Sequence, residues 1–323
     1  MNLPPSVFQG VQIGVEGTPG TPVAANKKLL AVNMTPSPQV ETKPFKAMGN
    51  KYASFAVLNK EWSSINIEGT PTYNEMVYLF SSLLHYSAPT QQGATLAYKW
   101  IFGSNTSAAD FGKTFTIEQG DTESAWRVAG VRISGLTLGF SRNGITVSGT
   151  GVGQQFETDI TLTADPTALT PVPVLPTELK FYMADTFATL ETAQPLVNAF
   201  SLEWSLTDKF GLAWPVGQNP EAVEGEPNAS GKITVATDTA GMGLIAALRS
   251  ATTKWFRIEA TGKAIEDVYS HKLTIDFPAQ IESVSDPKNL DNVFTIDFGL
   301  LPIHDASWGK AMNIEIVTNL ASL

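Results

Sequence analysis

The sequence predicts a mainly β chain made of two tandem domains of one kind, each a β-sandwich or barrel with a single flanking helix. Three observations lead there. Short runs alternating apolar and polar residues dominate both halves. Two strand–cap–helix stretches stand out, Ile65 to Leu84 and Ile233 to Leu248. Similar residues also recur at a fixed spacing of 168, pairing Thr18 with Thr186, Thr21 with Thr189, Ala31 with Ala199, Val32 with Phe200 and Ile65 with Ile233.

The first helix is marked by its spacing. Met76, Leu79, Phe80, Leu83 and Leu84 share one face, and Thr72 with Glu75 forms a T-x-x-E capping box that satisfies donors left open by the first turn. In the second copy Leu244, Ile245 and Leu248 stand where Leu79, Phe80 and Leu83 stood. Behind each helix a long strand is expected. In the first half Val131 and Ile133 alternate in one phase and Leu136, Leu138 and Phe140 in the other, so Ser134-Gly135 marks a bulge. Asn143-Gly144 then supplies a two-residue hairpin turn. The second half repeats this with Leu273, Ile275 and Phe277, a longer turn from Ser283 to Asn292, and Phe294, Ile296 and Phe298.

The remaining segments are connections. Gln9 to Val32 reads as an extended arm leading into a strand, and 87–113 as a polar stretch. Pro166, Pro171, Pro173 and Pro176 make 166–178 a stiff extended linker between a first domain, 1–165, and a second, 179–323. Two long loops precede the central strands. The loop 41–61 carries Lys43, Lys46, Lys51 and Lys60 against Glu41 and Glu61, whereas its counterpart 208–226 carries Asp208, Glu221, Glu224 and Glu226 against Lys209. Opposite charge at equivalent places makes Lys43, Lys46, Lys51 and Lys60 candidates for contact with Glu221, Glu224 and Glu226 of another molecule.

Composition narrows function. Cysteine is absent, which removes disulfides, thiol nucleophiles and thiolate metal sites. The formal charge of −10 is concentrated after residue 165, where 10 Lys plus Arg face 19 Asp plus Glu, and this argues against ordinary nucleic-acid binding. No signal peptide or membrane insertion is expected. His85, His271 and His304 lie apart, and Ser148 to Gly153 lacks the Lys and the helix of a phosphate loop. Asp286, Asn289, Asp291 and Asn292 read as a solvated turn rather than a calcium site, and Glu266-Asp267 as strand neighbours on opposite faces. No enzyme, metal or cofactor is expected.

Gly14-Val-Glu-Gly-Thr-Pro-Gly-Thr-Pro-Val-Ala-Ala25, followed by Leu29-Leu30, resembles the N-terminal signature of major tail tube proteins of long-tailed bacteriophages. Gly14, Glu16, Thr18, Gly20, Thr21, Val23 and Ala24 carry the likeness, and the element order behind them extends it over nearly the whole chain. The second copy departs, with Ala184, Asp185, Phe187 and Ala188 at the equivalent positions. The resemblance implies a virion structural protein assembled in the host cytoplasm, in which six such domains close a ring and rings stack into a tube for DNA. A chain with two domains would need three copies per ring. Six domains giving four strands each would enclose a backbone diameter of roughly 48 Å and a channel of about 35–40 Å. The partners implied are further copies of the chain, other phage tail proteins, and double-stranded DNA that passes without specific binding. The alternative is a monomeric tandem β-sandwich module that binds a surface carbohydrate or protein.

Overall fold

The computed structural model describes residues 10–121 and 124–323. In the first half the elements are β1 (Gly10–Val15), β2 (Lys27–Leu29), β3 (Val32–Phe45), β4 (Phe55–Gly69), α1 (Tyr73–Leu83), β5 (Thr90–Gln91), β6 (Tyr98–Gly103), β7 (Phe115–Gly120), β8 (Ala125–Ser141), β9 (Gly144–Gly153), β10 (Phe156–Thr158) and β11 (Thr167–Ala168). The second half has β12 (Leu179–Ala184), α2 (Phe187–Leu190), β13 (Ala199–Thr207), β14 (Phe210–Ala213), β15 (Glu221–Glu224), β16 (Asn228–Ala236), α3 (Thr239–Ser250), β17 (Lys254–Glu266), β18 (Tyr269–Val284), β19 (Lys288–Leu290), β20 (Val293–Pro302) and β21 (Asn313–Thr318). The chain is mainly β with few helices, as the alternation predicts.

The two halves share one strand order. In the first, hydrogen-bonded neighbours run β1–β7–β8–β9–β4–β3, and in the second β12–β17–β18–β20–β16–β13. The first strand of each half pairs antiparallel with the same neighbour in that order, Ile13 with Ile117 in one and Phe181 with Ile258 in the other. In each half one long strand serves two layers. The N-terminal part of β8 pairs with β7, and its C-terminal part pairs with β9. The partner changes between Val131 and Arg132, and the expected bulge follows within the β8–β9 ladder, where the register shifts between Ile133 and Gly135. Between the layers lies the core, with Leu136, Leu138, Phe140, Ile233, Phe277 and Phe298 all buried.

Helix α1 begins where the sequence places it. The Thr72 hydroxyl accepts the Glu75 N–H at 3.2 Å. Glu75, however, does not close the capping box. Its carboxylate accepts the N–H groups of Leu30 (2.7 Å), Ala31 (3.1 Å) and Val32 (2.8 Å), fixing the corner between β2 and β3. Burial raises the Glu75 carboxyl above its ordinary value, and the three N–H bonds oppose that rise. Met76, Leu79, Phe80 and Leu83 are buried as expected, but so is every other residue of the helix. Helix α3 is capped by Asp238, whose Oδ1 accepts the Gly241 N–H at 2.9 Å. It buries Leu244 and leaves Ile245 and Leu248 partly covered.

Several expected connections are structured. The arm is not free, since β1 pairs along its length with β7; Gln9 lies outside the described residues. The loops 41–61 and 208–226 are the ends of β-hairpins, β3–β4 and β14–β15. The polar stretch 87–113 contains β6, which pairs with β21 and so enters the sheet of the other half. The hairpin after β8 turns one residue earlier than expected, with Arg142 and Asn143 between paired Ser141 and Gly144. In the second half the tight turn is Asp291-Asn292, both at positive φ, and Phe294 is 65% exposed rather than in the core. Asp267 sits in a turn at φ 50°, outside β17. The proline-rich segment packs on the first half, where β11 pairs with β2 and both Leu169 and Val174 are buried.

Candidate functional site

The two halves join by strand pairing. Leu136 to Ser141 of β8 pairs antiparallel with Leu206 to Ser201 of β13, so four strands of each half form one continuous eight-stranded sheet. Its order is β3–β4–β9–β8–β13–β16–β20 and then β18 with β19. One face packs on the core. The other is open and lined by short polar side chains. It carries Asn33, Thr35 and Ser37 on β3, Ser64 and Asn66 on β4, Thr146, Ser148 and Thr150 on β9, and Ser201 and Ser205 on β13. The charges on it include Glu68, Glu203 and Asp297 against Lys232 and Lys288. Burial pushes the Asp297 carboxyl up, but hydrogen bonds from Lys288, Lys232 and Thr234 outweigh this and bring it to about 2. Alternating Ser and Thr in β9 was the available sequence signal for this face.

The sheet has two ends. At one, β3 pairs with β4 and with no other strand among the described residues. At the other, β19 pairs only with β20 among the described residues, next to the end of β18. These ends are the counterparts of the two strands that meet inside the chain, since β3 corresponds to β13 and the β18–β19 segment to the end of β8. The β3 edge is modified. Pro36 and Pro38 lie in a strand already paired on one side, so their missing N–H groups face the unpaired side. Two ladder donors are therefore absent there.

The two hairpins differ although they span equal lengths, 32–69 and 199–236. The β3–β4 ladder continues to Phe45 and Phe55, whose rings stack at 5.0 Å, with a single register shift at Glu41/Thr42. Lys43, Lys46 and Lys51 are exposed along it, beside exposed Met48, Tyr52, Val57 and Leu58. In the second half the ladder breaks at Asp208 (φ 58°), and β14–β15 folds onto β8 and β9. A buried charge cluster holds it there. Lys209 is fully buried and bonds Asp110, with Glu224 Oε1 at 3.6 Å. Asp110 also accepts from Ser104 (2.9 Å) and the Asn105 N–H (2.8 Å), while Glu224 Oε2 accepts the Asp110 N–H at 2.6 Å. Arg132 donates to the Asp110 and Gly112 carbonyls and lies 4.3 Å over the Phe210 ring.

These contacts sort the expected charges. Lys60 is taken up within the chain by Glu41 at 3.3 Å and by the Trp214 ring at 5.4 Å. Glu224 is likewise engaged, so of the expected contact charges Lys43, Lys46 and Lys51 on one hairpin and Glu221 and Glu226 on the other make no ion pair among the described residues. The histidines stay apart. His271 is buried, and burial and then Lys263 nearby push its imidazole below the ordinary value, while His304 is exposed. Among the described residues no group of three or more His, Asp or Glu side chains could hold a metal ion, and no helix is long and apolar enough to cross a membrane. No protein-family model matches the chain, and no curated protein matches it.

Proposed function

We propose that this protein is the structural subunit of a bacteriophage tail tube, three copies closing a ring of six similar halves around a channel for DNA, and rings stacking into a tube with other tail proteins at its ends. The observation that carries the reading is the β8–β13 junction. A chain that joins its own halves edge to edge, and leaves the equivalent strands unpaired at its two ends, has a head-to-tail contact to repeat with the next copy. Such contacts close into rings when the rotation permits. Each half gives four strands to the continuous sheet, the number that the channel of about 35–40 Å requires. Its open face, rich in Ser, Thr and Asn with near-balanced charge, offers few cations to displace phosphate counterions, so DNA would slide rather than bind. Lys43, Lys46 and Lys51 on the straight hairpin would meet Glu221 and Glu226 of an adjacent ring. The test is negative-stain microscopy of the purified protein at high concentration, with mass photometry. Three-chain rings and hollow rods support the proposal; single particles under all conditions refute it.

A second reading, a monomeric binding module, has one observation in its favour. Phe187, Trp255 and Trp308 pack with centroids 4.9–5.3 Å apart beside Asp185, Asp305 and Ser307, around a shallow pocket of about 380 Å³ suited to a sugar. Monomers that bind a glycan array through this pocket would favour it.

A further inference from the structure

Helix α1 is buried from both sides. Its own half covers one, where the Ser82 hydroxyl accepts the Ile133 N–H at 3.0 Å. The second half covers the other. Phe80 meets Trp204 at 6.0 Å, Tyr73 meets His271 at 5.5 Å, the Tyr73 hydroxyl donates to Glu178 at 2.9 Å, and Thr318 bonds Asn74. Helix α3 holds the same place in its half and packs against β18. Among the described residues its far side has no such cover. Thr239, Met242, Gly243 and Ala246 lie along that side and are exposed, Met242 by 52%, whereas Met76 and Phe80, which stand where Met242 and Ala246 do when the caps Thr72 and Asp238 are matched, are fully buried.

The first half contains the matching vacancy. In the second half the seat of α1 includes the row Leu179–Ala260–Leu273, paired across β12, β17 and β18, and Ala260 and Leu273 are wholly buried. The same row in the first half is Val11–Gln119–Trp126 across β1, β7 and β8. There it lines an open groove of about 530 Å³, together with Gly10, Asn33 and Thr35. Gln119 Oε1 and Trp126 Nε1 are buried in it without a hydrogen-bond partner among the described residues. Buried polar atoms left this way are uncommon, and a docked partner is one means of satisfying them.

We infer that this groove receives the exposed side of α3 from a second copy of the chain, with Met242 against the apolar floor and Thr239 near Gln119 and Trp126. The inference rests on the ring reading, in which the next copy stands to α3 as the second half stands to α1. It adds a helix-in-groove contact to the strand pairing of the ring, and it names the residues on both sides.

Cross-linking tests it, because the chain has no cysteine of its own. Met242→Cys and Thr35→Cys proteins, mixed under assembly conditions with a short bismaleimide, should give a covalent dimer that neither gives alone, and Val268→Cys in place of Met242→Cys should give none. Met242→Glu should raise the concentration for half-assembly at least tenfold while leaving the monomer's melting temperature unchanged. If rings form but the dimer is absent and Met242→Glu assembles like the parent, the inference falls and the ring reading stands. If no self-association occurs at any concentration, both fall. If the dimer appears only after residues 1–9 are deleted, the chain's own first residues fill the groove and the inference is overturned.

Discussion

Replacing Lys209 with Met tests what holds the second hairpin down. The ammonium is fully buried, touches Asp110 and lies 3.6 Å from Glu224. At that separation, with an effective dielectric constant of about 20, attraction to Glu224 alone is about 5 kcal/mol before desolvation is counted. Removing the cation leaves buried Asp110 with only Ser104, the Asn105 N–H and the more distant Arg132 to offset its charge. Breaking a buried pair from one side costs about 3–5 kcal/mol, and Lys209→Met should lose that much stability in urea unfolding followed by tryptophan fluorescence. Adding Asp110→Asn should restore part of it, with a coupling of about 2 kcal/mol. A Lys209→Met protein within about 0.5 kcal/mol of the parent would show that the cluster does not clamp the hairpin.

Three further outcomes follow from the same geometry. Pro36→Thr with Pro38→Thr restores two edge donors worth about 1 kcal/mol each, which should lower the concentration for half-assembly about thirtyfold in light scattering if β3 is the closing edge; an unchanged value would place the contact elsewhere. For Glu75, a folded-state pKa raised by burial above 4.5 means that the folded protein takes up a proton first, so this group's contribution to stability grows as pH falls through the folded value towards 4.5 and is lost on raising the pH again. The parent should therefore gain urea midpoint relative to Glu75→Gln over that interval, and parallel profiles would contradict the assignment. Reversing Lys43, Lys46 and Lys51 to Glu should leave single rings intact and shorten rods at low salt, and rods of normal length by microscopy would remove these residues from ring stacking.

What could be read from the sequence was local or repeated. Thr72 as a cap, the Ser134-Gly135 bulge and the repeat depend on residues close together or on comparing the chain with itself; the first two match the structure, and the two halves share a strand order, although the helix caps Thr72 and Asp238 lie 166 rather than 168 positions apart. Nothing local marks Tyr98 to Gly103 as a strand, because its partner, β21, lies more than two hundred residues away and only pairing reveals it. In the sequence Lys209 is one more loop charge. It is buried because Asp208 bends the hairpin onto β8 and β9, and nothing in the local pattern of charges distinguishes it from Lys43. The open face was visible in part, since Thr146, Ser148 and Thr150 alternate with apolar or small neighbours, but the β8–β13 seam that makes it continuous was not.

The bulged strand has a mechanical consequence. Because β8 leaves one layer after Val131 and pairs in the other from Arg132, and β18 similarly spans both layers of its half, the two layers share covalent backbone. Shear between them must stretch or rotate peptide bonds instead of sliding one apolar surface over another. Each half should then yield as a single unit under force, and slow-exchanging amides should be found along β8 and β18 in both layers together.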